Sequence, residues 1–141
     1  MIPVKIKQVG QGLIPTYAHS EDACCDCYAR LDEEMVIEPY TIGKIPLGFC
    51  LQLDKGTRAM IYPRSGLASR GFVAITGVID SNYRGEVCCS MFNTTDVPFV
   101  VSPNDRICQM AIEMSHSANF EVVDTLDCSE RNDNGFGSTG V

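Results

Sequence analysis

The chain has 141 residues, enough for one domain with a hydrophobic core and too few for two. Apolar residues make up 45% of it and charged residues 21%, the proportions of an ordinary soluble globular protein. The net charge of −7 argues against a nucleic-acid partner, because a phosphate backbone needs a broad basic stripe, but a small anionic ligand needs only a locally positive site.

The first segment, Met1–Lys7, alternates in the manner of an edge strand. It lacks the apolar core and the small-residue cleavage site of a signal peptide. No apolar run in the chain approaches the roughly 20 residues of a membrane-spanning helix. We therefore expect no membrane partner and an intracellular, cytoplasmic location, with a nuclear location open if the source is eukaryotic or viral.

The next feature is a cysteine-rich segment, Cys24-Cys25-Asp26-Cys27. If it is a strand, Cys25 and Cys27 face one way while Cys24 and Asp26 face the other. A zinc site would need a second spaced cysteine pair, and Cys88-Cys89 is adjacent rather than spaced. We expect the eight cysteines to be mostly buried, reduced thiols that pack as small hydrophobes.

Short apolar runs bounded by Gly, Pro, Asn and Asp recur along the chain, and helical periodicity is nearly absent. This spacing predicts an all-β sandwich or barrel, with only Ser65–Arg70 as a short helical turn. The predicted strands include Met35–Ile37, Gly48–Leu53, Ala59–Tyr62, Phe72–Ile79, Glu86–Phe92, Phe99–Val101, Ile107–Met114 and Phe120–Val123.

The segment Pro63-Arg64-Ser65-Gly66-Leu67-Ala68 can bring a guanidinium, a hydroxyl and free backbone N–H groups to one point. That is a geometry for binding an anion, although a simple capped turn has the same sequence features.

The segment Gly77–Val87 has two apolar stretches around a polar tip, the pattern of a β-hairpin. Asp80 ends the first stretch, where neighbouring groups can orient a carboxylate as a base; an Asx turn is the alternative. Further on, Asp105–Met110 alternates polar and apolar residues, which is also the pattern of a solvent-facing strand.

The composition changes at Asp127, and the residues beyond it have little to bury. Gly135, Gly137 and Gly140 match a dinucleotide-binding pattern, but no helix can follow them, so that interpretation fails. A flexible arm with one aromatic ring can order over a nucleotide, Phe136 stacking on a base and Ser138 and Thr139 meeting phosphate.

Taken together, these segments resemble the five ordered motifs of the trimeric dUTPase family, from Asp22 to Val141. Cys24, Cys27 and Cys108 stand where the family usually has Gly, Leu and Ala. The five matching segments are Ala23–Ala29, Pro63–Ala68, Gly77–Gly85, Asn104–Met110, and Arg131 with Gly135–Gly140.

The resemblance implies a jelly-roll-like β-domain over residues 1–127 and a glycine-rich arm over 128–141 that closes on a neighbouring active site. It implies a homotrimer with three active sites at subunit interfaces. In each site, motifs two and four come from one chain, motif three comes from a second chain, and the arm comes from the third. The implied reaction is hydrolysis of dUTP to dUMP and pyrophosphate, which limits uracil incorporation into DNA and supplies dUMP for thymidylate synthesis.

The resemblance also assigns roles to residues. Asp80 is the catalytic residue and activates a water for attack on the α-phosphorus. Tyr83 packs under the deoxyribose. Mg²⁺ is chelated mainly by the triphosphate, with no direct protein ligand and Asp26 a contact through water. The implied substrate-binding residues are Arg64, Ser65, Gly66 and Gln109 for phosphate, Gly77, Val78 and Ile79 for uracil, and Arg131, Phe136, Gly137, Ser138 and Thr139 in the arm.

Two alternatives compete with this hypothesis. A dCTP deaminase shares the fold but needs a glutamate base near the cytosine ring, whereas this chain has the motif-three segment and the arm. A non-catalytic or dual-purpose binding protein would engage a protein partner through the trimer surface, and loss of Asp80 or of the arm would favour it. Both are present.

Overall fold

The computed structural model describes residues 2–130 and 132–133. The fold is all-β and of the jelly-roll type, as the sequence predicts, and these residues include one short helix. The elements in chain order are β1 (Lys5–Gln8), β2 (Cys25–Tyr28), β3 (Met35–Ile37), β4 (Ile42–Pro46), β5 (Phe49–Gln52), β6 (Thr57–Pro63), α1 (Ser65–Ala68), β7 (Phe72–Ala74), β8 (Gly77–Asp80), β9 (Cys88–Asn93), β10 (Phe99–Val101) and β11 (Arg106–Met114). No helix in the described part of the chain is long and apolar enough to cross a membrane.

The strands pair antiparallel in four small sheets. The largest has the order β2-β11-β6-β8, and a second has the order β4-β9-β7; β1 pairs with β5, and β10 with β3. Every sheet therefore joins strands that are distant in sequence, as a sandwich built from crossing connections requires.

One hydrophobic cluster unites the inner faces of all four sheets. Phe49, Ile37, Ile61 and Met91 come from different sheets and are each at most 2% exposed. Alternation along the strands produces this core, because every second side chain points inward. Removing such a side chain would cost several kcal/mol, since the cavity term adds to the lost transfer energy.

All eight cysteines are free thiols, as expected for reduced side chains. Cys25, Cys27, Cys89 and Cys108 are buried, while Cys128 is exposed and the other three are half-buried. The predicted alternation in the cysteine-rich segment is confirmed: Cys25 and Cys27 enter the core, and Asp26 faces away from it.

Three predictions about strands are wrong. The run Phe72–Ile79 is two strands, because β7 pairs with β9 whereas β8 pairs with β6. The segment Gly77–Val87 is not a hairpin, since β8 and β9 lie in different sheets and the chain between them crosses from one to the other. The run Phe120–Val123 forms no strand within the described chain, because no neighbouring strand offers it hydrogen bonds.

Candidate active site

A cleft of about 420 Å³ lies where β2, the start of α1 and the middle of β11 meet. We call it the α1 cleft. Pro63 ends β6 and Ser65 begins α1, so the chain turns sharply and exposes the first backbone N–H groups of the helical turn, which have no intrahelical partner. The cleft is lined by Ala18, Asp22, Ala23, Cys24, Asp26, Arg64, Ser65, Gly66 and Gln109.

Two guanidinium groups are held at this cleft by one carboxylate. Arg64 Nε lies 2.9 Å from Asp26 Oδ1, and Arg106 Nη1 lies 3.2 Å from Asp26 Oδ2. Arg64 also donates from Nη1 to the backbone carbonyl of Arg106 at 2.7 Å. The lining also includes Asp22, so the two guanidinium groups balance two carboxylates; the positive charge is local to the side of the cleft that carries Arg64, and an anion can bind there although the whole chain is acidic.

The remaining side chains of the cleft are polar and positioned by the sheet. Gln109 lies between Asp26 on β2 and Tyr62 on β6, and its Nε2 donates to the carbonyl of Pro63 at 2.9 Å. Ser65 and Gly66 are exposed. An added Cβ at Gly66 would meet no atom within 4 Å, so a ligand can approach the backbone closely there.

The second group of predicted site residues lies elsewhere in the chain. Asp80 ends β8 and is exposed, directly opposite Arg58 near the far end of β6. From Arg58 to Arg64 is six positions along an extended strand, roughly 20 Å at about 3.4 Å per residue. One chain therefore does not bring Asp80 to the α1 cleft.

The loop that follows, residues 80–86, is called the Asp80 loop. It turns at once, because the backbone N–H of Tyr83 donates to the carbonyl of Asp80 at 3.0 Å. Arg84 stabilises the turn by donating from Nη1 to the carbonyls of Ser81 and Tyr83 at 2.7 and 2.8 Å. Tyr83 is 46% exposed, so its ring is available to a ligand.

The residues before Asp80 lie on an edge strand of the largest sheet. Gly77, Val78 and Ile79 pair with β6 on one side only, since β8 is the last strand of its sheet in the described chain. Ile79 is buried, and Val78 points outward. The free backbone groups of such an edge strand can hydrogen-bond to a flat polar ligand.

The arm residues Arg131, Phe136, Gly137, Ser138 and Thr139 lie outside the described residues. Two features of the site were missed from the sequence. Arg106 pairs with Asp26 although the two are 80 positions apart, and Glu86, the last residue of the Asp80 loop, forms a bidentate ion pair with Arg30. The sequence shows that these four residues are charged, but it does not show which of them pair. Partners so far apart in the chain meet only through the pairing of distant strands.

The model of the dUTPase family matches residues 11–140 of the chain. The deoxyuridine 5′-triphosphate nucleotidohydrolase of Orientia tsutsugamushi (strain Boryong) is 40% identical over 145 residues, which cover 98% of this chain and 98% of that protein. The chain belongs to the dUTPase family. It is an enzyme, a dUTP diphosphatase, and hydrolyses dUTP to dUMP and pyrophosphate.

Solved structures of dUTPases have the same fold. The dUTPase of Staphylococcus bacteriophage 80alpha, with dUPNHPP, superposes with a TM-score of 0.88 at 23% identity, and the match covers 100% of each chain. A mutant dUTPase of S. aureus phage phi11 superposes with a TM-score of 0.82 at 18% identity, covering 90% of this chain and 100% of that one. At these identities the likeness supports the jelly-roll fold.

Proposed function

We propose that each active site is assembled from the α1 cleft of one chain and the Asp80 loop of another, in a homotrimer. The observation that carries this proposal is the separation of roughly 20 Å between Arg64 and the partner position of Asp80 along β6. Water attack on a phosphate needs the base and the phosphate-binding groups within a few ångströms of the same phosphorus. A second copy of the chain supplies the missing half.

In this proposal the α1 cleft holds the triphosphate. Arg64 offers a planar fork that matches phosphate oxygens, and Ser65, Gly66 and Gln109 add a hydroxyl, backbone N–H groups and an amide. Hydrolysis at phosphorus depends mainly on positioning and on neutralising charge, which such a cleft provides.

The Asp80 loop supplies the base and the recognition of the nucleoside. The carboxylate of Asp80 accepts a proton from the attacking water at the α-phosphorus, and its exposure in the single chain leaves it accessible to a ligand bound on a neighbour. The edge backbone of Gly77, Val78 and Ile79 pairs with uracil as a neighbouring strand would. Tyr83 covers the deoxyribose face and excludes a 2′-hydroxyl by contact.

We assign residues 1–127 to the β-domain and 128–141 to an arm that completes a site on a third chain. Phe136 would stack on uracil, Arg131 would reach the γ-phosphate, and Gly137, Ser138 and Thr139 would meet the nucleotide. The composition supports this assignment, because a segment with one aromatic ring gains most by stacking on a base, worth about 1–3 kcal/mol.

Mg²⁺ is proposed as the cofactor, bound chiefly by the triphosphate. The phage phi11 dUTPase coordinates a structural Mg(II) ion. In residues 2–130 and 132–133 no group of three or more His, Cys, Asp or Glu side chains is arranged to hold a metal. Asp26 receives a guanidinium on each of its two oxygens, so a contact through water suits it better than direct coordination. When bound, the ion neutralises phosphate charge.

The trimer is supported by apolar surface that the single chain leaves uncovered. Phe120, Val122 and Leu126 are 91%, 98% and 86% exposed in a segment without regular secondary structure near the end of the domain. An apolar groove of about 630 Å³, whose lining includes Ile6, Ile14 and Ile112, lies beside β1. We propose that this segment of one copy covers the groove on another copy, because both surfaces are apolar.

The oligomeric state tests this assembly. By light scattering, the wild-type protein should have about three times the 15.4 kDa mass of one chain. The double substitution Phe120→Asp with Val122→Asp should lower that mass, because it would bury two charges at the interface. Val97→Asp, at a valine that is 53% exposed in the bend before β10, is the control for an added surface charge and should leave the mass unchanged. A wild-type monomer would contradict the proposal.

For the compartment we propose the cytoplasm, or the nucleus in a eukaryotic or viral setting, where a deoxynucleotide substrate is available. We propose no nucleic-acid partner, because the net charge of −7 disfavours a phosphate backbone.

A further inference from the structure

The ring of Tyr83 rests in a seat made by Gly85 and Glu86, the last two residues of the Asp80 loop. The hydroxyl of Tyr83 donates to the backbone carbonyl of Glu86 at 3.1 Å. The same ring lies over Gly85 so closely that a Cβ added there would come within 2.6 Å of Tyr83 Cζ. The ring can hold this position only because residue 85 has no side chain.

Gly85 is not needed for its backbone freedom. The glycines with positive φ in the described chain are Gly10, Gly48, Gly56 and Gly71. The backbone of Gly85 would therefore accept alanine without strain of that kind, and the ring of Tyr83 is what an added methyl group would meet. Glycine at residue 85 therefore makes room for the ring of Tyr83 and is not required by the backbone conformation of the turn.

The other half of the seat is fixed to the core through the side chain of Glu86. Its carboxylate accepts from Arg30 Nε at 2.7 Å, from Arg30 Nη2 at 3.0 Å, and from the backbone N–H of Gly48 at 2.9 Å. The hydrogen bonds from Arg30 hold the pKa of Glu86 below its usual value, so the carboxylate stays charged at neutral pH. Its neighbour Val87 is 1% exposed and anchors the end of the loop.

We propose that Gly85 and Glu86 are positioning residues that set the choice between deoxyribose and ribose by fixing the ring of Tyr83. This inference rests on the role of Tyr83 in the proposed function. Tyr83 excludes a 2′-hydroxyl only if its ring keeps a fixed position against the sugar. The contact with Gly85 and the hydrogen bond to the Glu86 carbonyl fix that position. A methyl group at residue 85 would displace the ring, and the displaced ring would no longer discriminate between deoxyribose and ribose.

The test compares kcat/KM for dUTP with kcat/KM for UTP in Tyr83→Ala, Gly85→Ala and the double variant. Tyr83→Ala should lower the ratio roughly tenfold or more, the scale of a lost steric contact in a specificity pocket. Gly85→Ala should lower it by a similar factor. In the Tyr83→Ala background, adding Gly85→Ala should change the ratio less than about twofold, because a residue acting only through the ring has nothing left to move.

The possible outcomes separate the two proposals. An unchanged ratio in Tyr83→Ala would remove the role of Tyr83 and the seat with it. A reduced ratio in Tyr83→Ala with no change in Gly85→Ala would overturn the seat alone. Equal effects of Gly85→Ala in both backgrounds would show that Gly85 acts independently of the ring, which also overturns it. Asn82→Ala, at an exposed position in the same loop, is the control for general loop effects.

A second variant adds no atoms under the ring. Glu86→Gln keeps the shape of the side chain but loses the charge that pairs with Arg30. Because the two side chains are 22% and 28% exposed, solvent screens the pair, and we expect the dUTP-to-UTP ratio to fall about two- to fivefold. A fall of the same size in the Tyr83→Ala background would contradict the proposal. This variant decides the matter if Gly85→Ala does not fold.

Discussion

Replacing Asp80 by asparagine should lower kcat by about 10²–10⁴-fold, the usual effect of losing a general base. The amide keeps the size of the side chain but does not take a proton from water at neutral pH. Binding of a non-hydrolysable dUTP analogue should change little, because Asp80 is assigned to the attacking water and not to holding the nucleotide. Folding should also be preserved, since Asp80 is exposed in the single chain.

The measurement is single-turnover pyrophosphate release together with calorimetric binding of the analogue. Asp96→Asn, another exposed aspartate, is the control and should behave as wild type. An Asp80→Asn enzyme within threefold of wild-type kcat would remove Asp80 from the role of base.

Arg64→Ala should reduce kcat/KM by about 10²–10³-fold, the effect seen when one preorganised donor to a developing negative charge is removed. Two consequences add up: the phosphate loses a guanidinium, and Asp26 loses one of its two arginine partners. Arg64→Lys should restore little of the loss, because an ammonium group lacks the planar fork that reaches Asp26 and a phosphate together.

Arg70 provides the matched control for Arg64. It follows α1 as Arg64 precedes it, and its guanidinium lies 5.5 Å from the centre of the Phe72 ring. Steady-state kinetics should show Arg70→Ala close to wild type. Equal losses in the two alanine variants would mean that the cleft responds to net charge alone and not to the geometry of Arg64.

Local sequence patterns predicted an element correctly where the residues of that element themselves determine its conformation. The proline at residue 63 and the small residues after it predicted the turn into α1, because proline lacks an N–H and ends a strand. Alternation predicted that Asp26 faces away from Cys25 and Cys27. By contrast β4 was missed, since Gly43, Lys44 and Pro46 are poor strand formers and its hydrogen bonds to β9 stabilise it instead.

Pairing between distant strands could not be predicted from local patterns. The polar tip between Gly77 and Val87 resembles a hairpin, yet β8 pairs with β6, because nothing in the segment specifies its partner. The same limit hid the Arg106–Asp26 ion pair and the distance between Asp80 and the α1 cleft. The likeness to family motifs supplied the candidate site residues, and the register of β6 shows why one chain does not unite them.

The central claim is that the α1 cleft and the Asp80 loop of one active site come from different chains. Mixing two inactive variants, Asp80→Asn and Arg64→Ala, tests it most directly. A site is intact when its cleft comes from an Asp80→Asn chain and its loop from an Arg64→Ala chain. Random exchange at equal amounts gives about one quarter of such sites in a closed homo-oligomer.

The measurement is pyrophosphate release from dUTP after the two variants have been exchanged by mild denaturation and refolding, with mixed oligomers verified by mass spectrometry of differently tagged chains. Shared sites predict that activity rises from nearly zero to about one quarter of wild type. Activity that stays at the level of the separate variants, although mixed trimers are present, would show that each chain builds its site alone and would contradict the account.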